Sequence, residues 1–201
     1  MENKISLGED LMREHGLMNR MILLYKESAN CLGQNPEAKD ILQKTAKIMK
    51  EFIHDFHEEN EEHDVYPLLT ENAKLRTLTE TMEKQHEIGR QITEYILNAT
   101  KAGDPHSIAI SAMTAEFERM YLPHASLEDT VLWPALQEMK GDAFYMKLGA
   151  SLEKKEEERF GEEYFEKLET KIEKFEKKLG IGDLAKFTAN APGPASGEQM
   201  A

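Results

Sequence analysis

One stretch of the chain occurs twice. HEENEEHDVYPLL (57–69) and HASLEDTVLWPAL (124–136) superpose with one constant offset, so that His57 falls on His124, Glu61 on Glu128, Glu62 on Asp129, Val65 on Leu132, Tyr66 on Trp133, Pro67 on Pro134 and Leu69 on Leu136. Whatever structure one copy adopts must suit the other, which asks for two equivalent halves. Each copy lies late in the second helix of a helical pair. The preceding helix of each half carries one histidine on its apolar stripe, His15 in the first half and His86 in the second.

The helical pairs follow from periodicity. Ser6 and Glu9 form a capping-box signature ahead of Leu7, Leu11, His15, Met18, Ile22 and Tyr25, which predicts a helix running to about Cys31. A second stripe, started near Pro36, reads Leu42, Ala46, Met49, Ile53, His57, Glu61 and Asp64, with Pro67 ending or kinking the helix. Leu75, Leu78, Met82, His86, Gly89, Thr93 and Ile96 give a third helix, closed by a turn at Gly103, Asp104 and Pro105. The fourth reads Ile110, Met113, Phe117, Met120, His124, Glu128 and Val131, with Pro123 expected to kink or restart it and Pro134 to bend or end it. The expected fold is all-α: an antiparallel four-helix bundle over residues 1–140, a C-terminal helical extension over 141–187 and a disordered tail over 188–201. In the extension, Leu148, Leu152, Phe160, Tyr164, Leu168, Ile172 and Phe175 form a sparse stripe, broken near Gly161, suited to the outside of the bundle or to a second subunit.

Positions i and i+4 of a helix lie about 40° apart around the axis and about 6 Å along it. His57 with Glu61, and His124 with Glu128, can therefore converge on one point. Two metal ions about 3.5–4 Å apart need terminal donors such as imidazole, and carboxylates able to span both ions while offsetting their charge. Four histidines and two glutamates meet that need. Singly, a histidine on an apolar stripe is more often a hydrogen-bonded core residue than a ligand. Six such residues in two matched sets, all facing the expected bundle axis, demand partners, because unpaired buried carboxylates are very costly.

These residues carry a resemblance to the hemerythrin-like family, whose pattern is one His on the first helix, His-x-x-x-Glu on the second, one or two His on the third, and His-x-x-x-Glu or His-x-x-x-x-Asp on the fourth. It covers roughly residues 7–140 and maps His15, His57, Glu61, His86, His124 and Glu128 onto that pattern, with Asp129 as the alternative to Glu128. The resemblance implies two iron ions with an oxo or hydroxo bridge, and small partners of the class O2, peroxide or nitric oxide. Oxygen carriers of the family place a second His four residues from the first on helix three, whereas here His86 is followed at that spacing by Arg90 and preceded by Met82. The set is thus more similar to members associated with iron sensing, iron–sulfur repair, or peroxide and nitric oxide chemistry. Peroxidase- or catalase-like turnover and nitric oxide scavenging are the enzymatic expectations. The alternative is an iron- or oxygen-sensing module that signals to a protein partner through its C-terminal helix.

Other histidines and aromatics carry less. His54 and Glu58 lie within a turn of His57, with a surface role favoured over ligation or ligand support. His63 and His106 fall off the stripes and are expected to be exposed. Met18, Met82, Met120 and Phe117 suit plain core packing, and Tyr121 and Trp133 either tune redox chemistry or pack. A net charge of −13 argues against nucleic-acid and anionic-membrane partners. The N-terminal segment has no apolar signal region, and the lone Cys31 permits no intrachain disulfide, so a cytoplasmic location is expected.

Overall fold

The computed structural model describes residues 5–101 and 107–189, and among them every regular element is helical. Helix α1 (Leu7–Asn30) starts at the predicted capping box: the Ser6 hydroxyl accepts the Glu9 N–H, and the Glu9 carboxylate accepts the Ser6 N–H at 2.8 Å. Cys31 follows its last turn.

After a loop through Gly33, α2 (Ala38–Ile48) leads without interruption into a π-helical segment, π1 (Met49–His57), a single turn α3 (Glu58–Asn60), a second π-helical segment π2 (Glu61–Val65) and a 3₁₀ turn (Tyr66–Leu69) that contains Pro67 and ends the run. Helix α4 (Ala73–Lys101) begins where the Asn72 side chain accepts the Lys74 N–H. The predicted turn at Gly103, Asp104 and Pro105, and His106, lie outside the described residues. Helix α5 (Ser107–Leu127) passes through Pro123 without restarting and continues as π3 (Glu128–Leu132) and α6 (Trp133–Lys140), with Pro134 in the first turn of α6.

The π-helical turns fall on the same part of both repeats, and they correct the predicted stripes. A wider i→i+5 turn delays the register. Val65 and Leu132 become the fully buried residues after Glu61 and Glu128, in place of the predicted Asp64 and Val131, which are half-buried and exposed.

The apolar interior forms two clusters with a polar layer between them. Met18, Ile22, Phe56, Ile92, Tyr121 and Ala125 belong to one cluster, and Leu11, Val65, Met82 and Leu132 to the other. Along each of the four helical runs the candidate ligand sits where one cluster gives way to the next. His15 separates Leu11 from Met18, and His86 separates Met82 from Ile92.

Helices α7 (Asp142–Phe160) and α8 (Tyr164–Leu179) are joined at Gly161 (φ +85°) and Glu163 (φ +58°), where the sequence predicted a break. Their stripe packs on this chain's own helices. Gly149 of α7 lies so close to the start of α1 that a Cβ there would sit 2.6 Å from the Leu7 backbone nitrogen. Arg13 stacks on Phe165 at 4.1 Å, and Arg20 makes a two-pronged bond to Glu176 with both contacts at 2.8 Å. Phe165, Leu168, Ile172 and Phe175 are buried, each contributing roughly 1.5–3 kcal/mol to docking. No helix among the described residues is long and apolar enough to cross a membrane.

Candidate metal centre

The polar layer is built from the repeat. Glu61 and Glu128 are fully buried, and His15, His57, His86 and His124 nearly so. The imidazoles meet in pairs: His15 Nε2 lies 3.1 Å from His57 Nε2, and His86 Nε2 lies 3.0 Å from His124 Nε2. Glu61 joins the pairs, with Oε1 3.1 Å from His57 Nε2 and Oε2 3.5 Å from His86 Nε2. Glu128 does so through one oxygen, Oε2, which lies 3.3 Å from both His15 Nε2 and His124 Nε2. Its other oxygen accepts the Tyr66 hydroxyl. Asp129 turns away from this point and accepts from His15 Nδ1 at 2.8 Å.

The opposite ring nitrogens fix the chemistry of the inner ones. Nδ1 of His15 faces Asp129, Nδ1 of His57 faces Glu14 at 2.5 Å, Nδ1 of His86 faces Glu62 at 2.8 Å, and Nδ1 of His124 faces the Gln85 amide oxygen at 2.8 Å. Carboxylates and amide oxygens only accept, so each Nδ1 carries the proton and a neutral ring then presents a lone pair at Nε2. Four lone pairs and two carboxylates pointing at one another repel unless positive charge lies among them. Both Glu61 oxygens and Glu128 Oε2 are buried without a hydrogen-bond partner: the nearby Nε2 atoms are close enough for attraction but out of line for an N–H bond.

Protons can supply some of that charge. Burial opposes protonation of His15, yet Asp129, Glu128 and Glu61 outweigh it and hold the ring well above the ordinary histidine range. His57 is likewise raised, to about 10, by Glu61 and Glu14 against burial. His86 is raised by Glu58, Glu62 and Glu61, again against burial. Burial pushes Glu61 and Glu128 up, and the charge of Glu128 pushes Glu61 further, but the facing imidazoles prevail and both stay below the ordinary carboxylate range. A bound cation would meet the same demand, and two groups have their donor atoms close enough to hold one: His15, His57 and Glu61, and His86, His124 and Glu128. The profile of the hemerythrin HHE cation-binding domain matches residues 6–136.

The chain belongs to the hemerythrin HHE cation-binding family. Similar proteins include uncharacterized proteins of Mycobacterium tuberculosis and Mycobacterium bovis, each 35% identical over 192 residues, which span 93% of this chain and 75% of the relative. No solved structure matches the chain significantly. The residues present fit the cations that this hemerythrin family binds, since the buried oxygens without partners and the four inward lone pairs are what a metal-binding layer requires.

The expectation of a surface role for His54 and Glu58 is corrected. Both are buried, His54 Nδ1 donates to Glu58 Oε1 at 2.8 Å, and the Tyr121 hydroxyl donates to the same oxygen at 2.6 Å. Arg90 reaches Glu58 Oε2 at 3.1 Å and Glu62 Oε1 at 2.6 Å. His54, Tyr121 and His86 hold Glu58 at about 2, well below the usual carboxylate range, against the effect of burial. His54 and Glu58 read as surface residues because the π turns and Arg90, which bring them inward, leave no periodic trace. One signal was present: His54 and Glu58 have the same i, i+4 spacing as His57 and Glu61. Glu58, Glu62 and His86 form a third acidic group, with Arg90 as its cation. Glu14 and Gln85, which back two of the rings, were not anticipated. His63 is exposed, as expected, while Met18, Met82, Phe117 and Trp133 are core residues.

Proposed function

We propose that this protein is a non-haem di-iron protein of the hemerythrin type, with His15, His57, His86 and His124 as terminal ligands, Glu61 and Glu128 shared between the ions, and the four ligand-bearing runs arranged as an antiparallel bundle. The observation that carries this reading is the pair of buried glutamates, each of which turns unpartnered oxygen toward imidazoles of both halves. When bound, a ferrous pair supplies two electrons and open coordination positions for O2, peroxide or nitric oxide. The chain's own residues do the rest. Asp129, Glu14, Glu62 and Gln85 lock the ring tautomers and orientations. Tyr66 pins one oxygen of Glu128, and the two apolar clusters keep bulk water from the layer.

Asp129 is assigned the supporting role and Glu128 the ligand role, because only Glu128 presents an oxygen among the Nε2 atoms. The decisive experiment is anaerobic loading with ferrous iron, a metal count, and absorption spectra on adding O2 and then peroxide. Two irons per chain with a reversible oxy band mean a carrier, and catalytic peroxide consumption means an enzyme. Fewer than two irons with no spectral change refutes the proposal.

A sensing role has one observation in its favour. Lys155 of α7 bonds Asp64 at 2.5 Å and Asn60 at 3.4 Å, and so grips the turn that carries Glu61. Metal-dependent protection of α7 against limited proteolysis supports this reading, and identical cleavage with and without metal opposes it.

A further inference from the structure

Each imidazole of the centre is backed at Nδ1 by one oxygen, and the four backing groups are not alike. Behind His15 and His57 stand two carboxylates, Asp129 at 2.8 Å and Glu14 at 2.5 Å. Behind His86 stands Glu62, but the oxygen that takes the ring proton also takes Arg90 at 2.6 Å, so its charge is shared with a guanidinium. Behind His124 stands the uncharged amide of Gln85. Arg90 also reaches Glu58 Oε2 at 3.1 Å, so the first pair of rings is backed at Nδ1 by two carboxylates, and the second by one carboxylate bonded to a shared guanidinium and by one neutral amide.

A carboxylate behind a ligating imidazole makes the ring a more basic donor, and its loss typically costs 10–100-fold in metal affinity. The shared acids do not even this out. Glu61 offers one oxygen to each pair, and Glu128 places Oε2 equally far from His15 and His124. Gln85 lines an open cleft of about 350 Å³ between α4 and α5, together with Ile88, Ile92 and Met120.

We infer that the two metal positions are unequal: the ion beside His15 and His57 is bound first and tightly, while the ion beside His86 and His124 is the exchangeable one. This rests on the two-metal reading above. Metal-free protein is titrated with Co2+ by calorimetry, using wild type, Gln85→Glu, Glu14→Gln and Asp129→Asn, each checked for helicity beforehand. Two steps are expected in the wild type, separated by tenfold or more in Kd. Gln85→Glu places a carboxylate behind His124 and should tighten the second step about tenfold while leaving the first in place. Glu14→Gln and Asp129→Asn should each weaken the first step by about 10–100-fold. Two ions taken up in a single step, or a Gln85→Glu effect confined to the first step, overturns the inference and leaves the two-metal reading intact. Uptake of fewer than two ions removes that reading and the inference with it.

Discussion

Gly89→Ala is a small change placed where it should do the most damage. Gly89 lies in the middle of α4, and on an open helix surface the added methyl would stabilise by about 0.5–1 kcal/mol. Here a Cβ would meet the Tyr121 hydroxyl at 2.1 Å and two ring carbons at 2.7 Å. Tyr121 cannot step aside freely: its ring is stacked on Phe117 with centroids 4.3 Å apart, and its hydroxyl is committed to Glu58. Overpacking of this kind costs about 1–3 kcal/mol. Losing a hydrogen bond to a charged, buried acceptor costs about 1.5–3 kcal/mol. After subtracting the helix gain, the net expectation is a loss of about 3 kcal/mol, or roughly 9 °C in Tm for a chain of this size. Urea and thermal unfolding of wild type, Gly89→Ala, Tyr121→Phe and the double variant measure it. Removing the hydroxyl eliminates the closest clash, so the double variant should lose less than the sum of the single losses. A Gly89→Ala protein as stable as wild type, or strict additivity in the cycle, would refute the account of this contact.

Further outcomes follow from the same geometry. Stripping metal with a chelator should lower Tm by about 8 °C per site previously held at 100 times its Kd, since such binding stabilises by about 2.7 kcal/mol; an unchanged melt contradicts metal linkage. In the metal-free protein the raised rings stabilise the fold fully below about pH 6.5, the unfolded value, and that contribution fades as pH rises through about 10, where His57 deprotonates. Metal-free Tm should therefore fall between pH 6.5 and 10, whereas metal affinity should increase over that range, with protons released on loading; a pH indicator and melts at several pH values test both signs. Glu58, held at about 2, contributes stability above its unfolded value near 4.5 that disappears as pH drops toward 2, and Glu58→Gln should flatten that acid limb. Gly149→Val should push α7 off the rigid Leu7 backbone and expose it to protease, with faster cleavage than wild type as the readout.

Much of the candidate centre was legible in the sequence because the residues that meet there are spaced by helix geometry. His57 with Glu61 and His124 with Glu128 declare themselves by the i, i+4 interval, and the repeat of the pair argued against a solvated acidic face. What stayed hidden depends on contacts between distant segments. Glu14 looks like an ordinary polar neighbour of His15 until the turn from π1 brings His57 against it. Gln85 sits beside His86 in sequence yet serves His124 on another helix. His54 and Glu58 were read as surface residues because the α-helical stripe placed them off the core, and the π-helical turns that change this have no propensity signature. The charged C-terminal third concealed its partner for another reason. A sparse stripe tells that something must cover it, and only the glycine at the α1 crossing and the two-pronged Arg20–Glu176 bond identify what does.

The division of the donors between two repeats also sets a timetable for synthesis. His15, His57 and Glu61 leave the ribosome early, whereas Glu128 and the Asp129 that steadies His15, 114 residues downstream of it, arrive much later. On the two-ion reading proposed above, the donors for one ion are all synthesised before those for the other are complete.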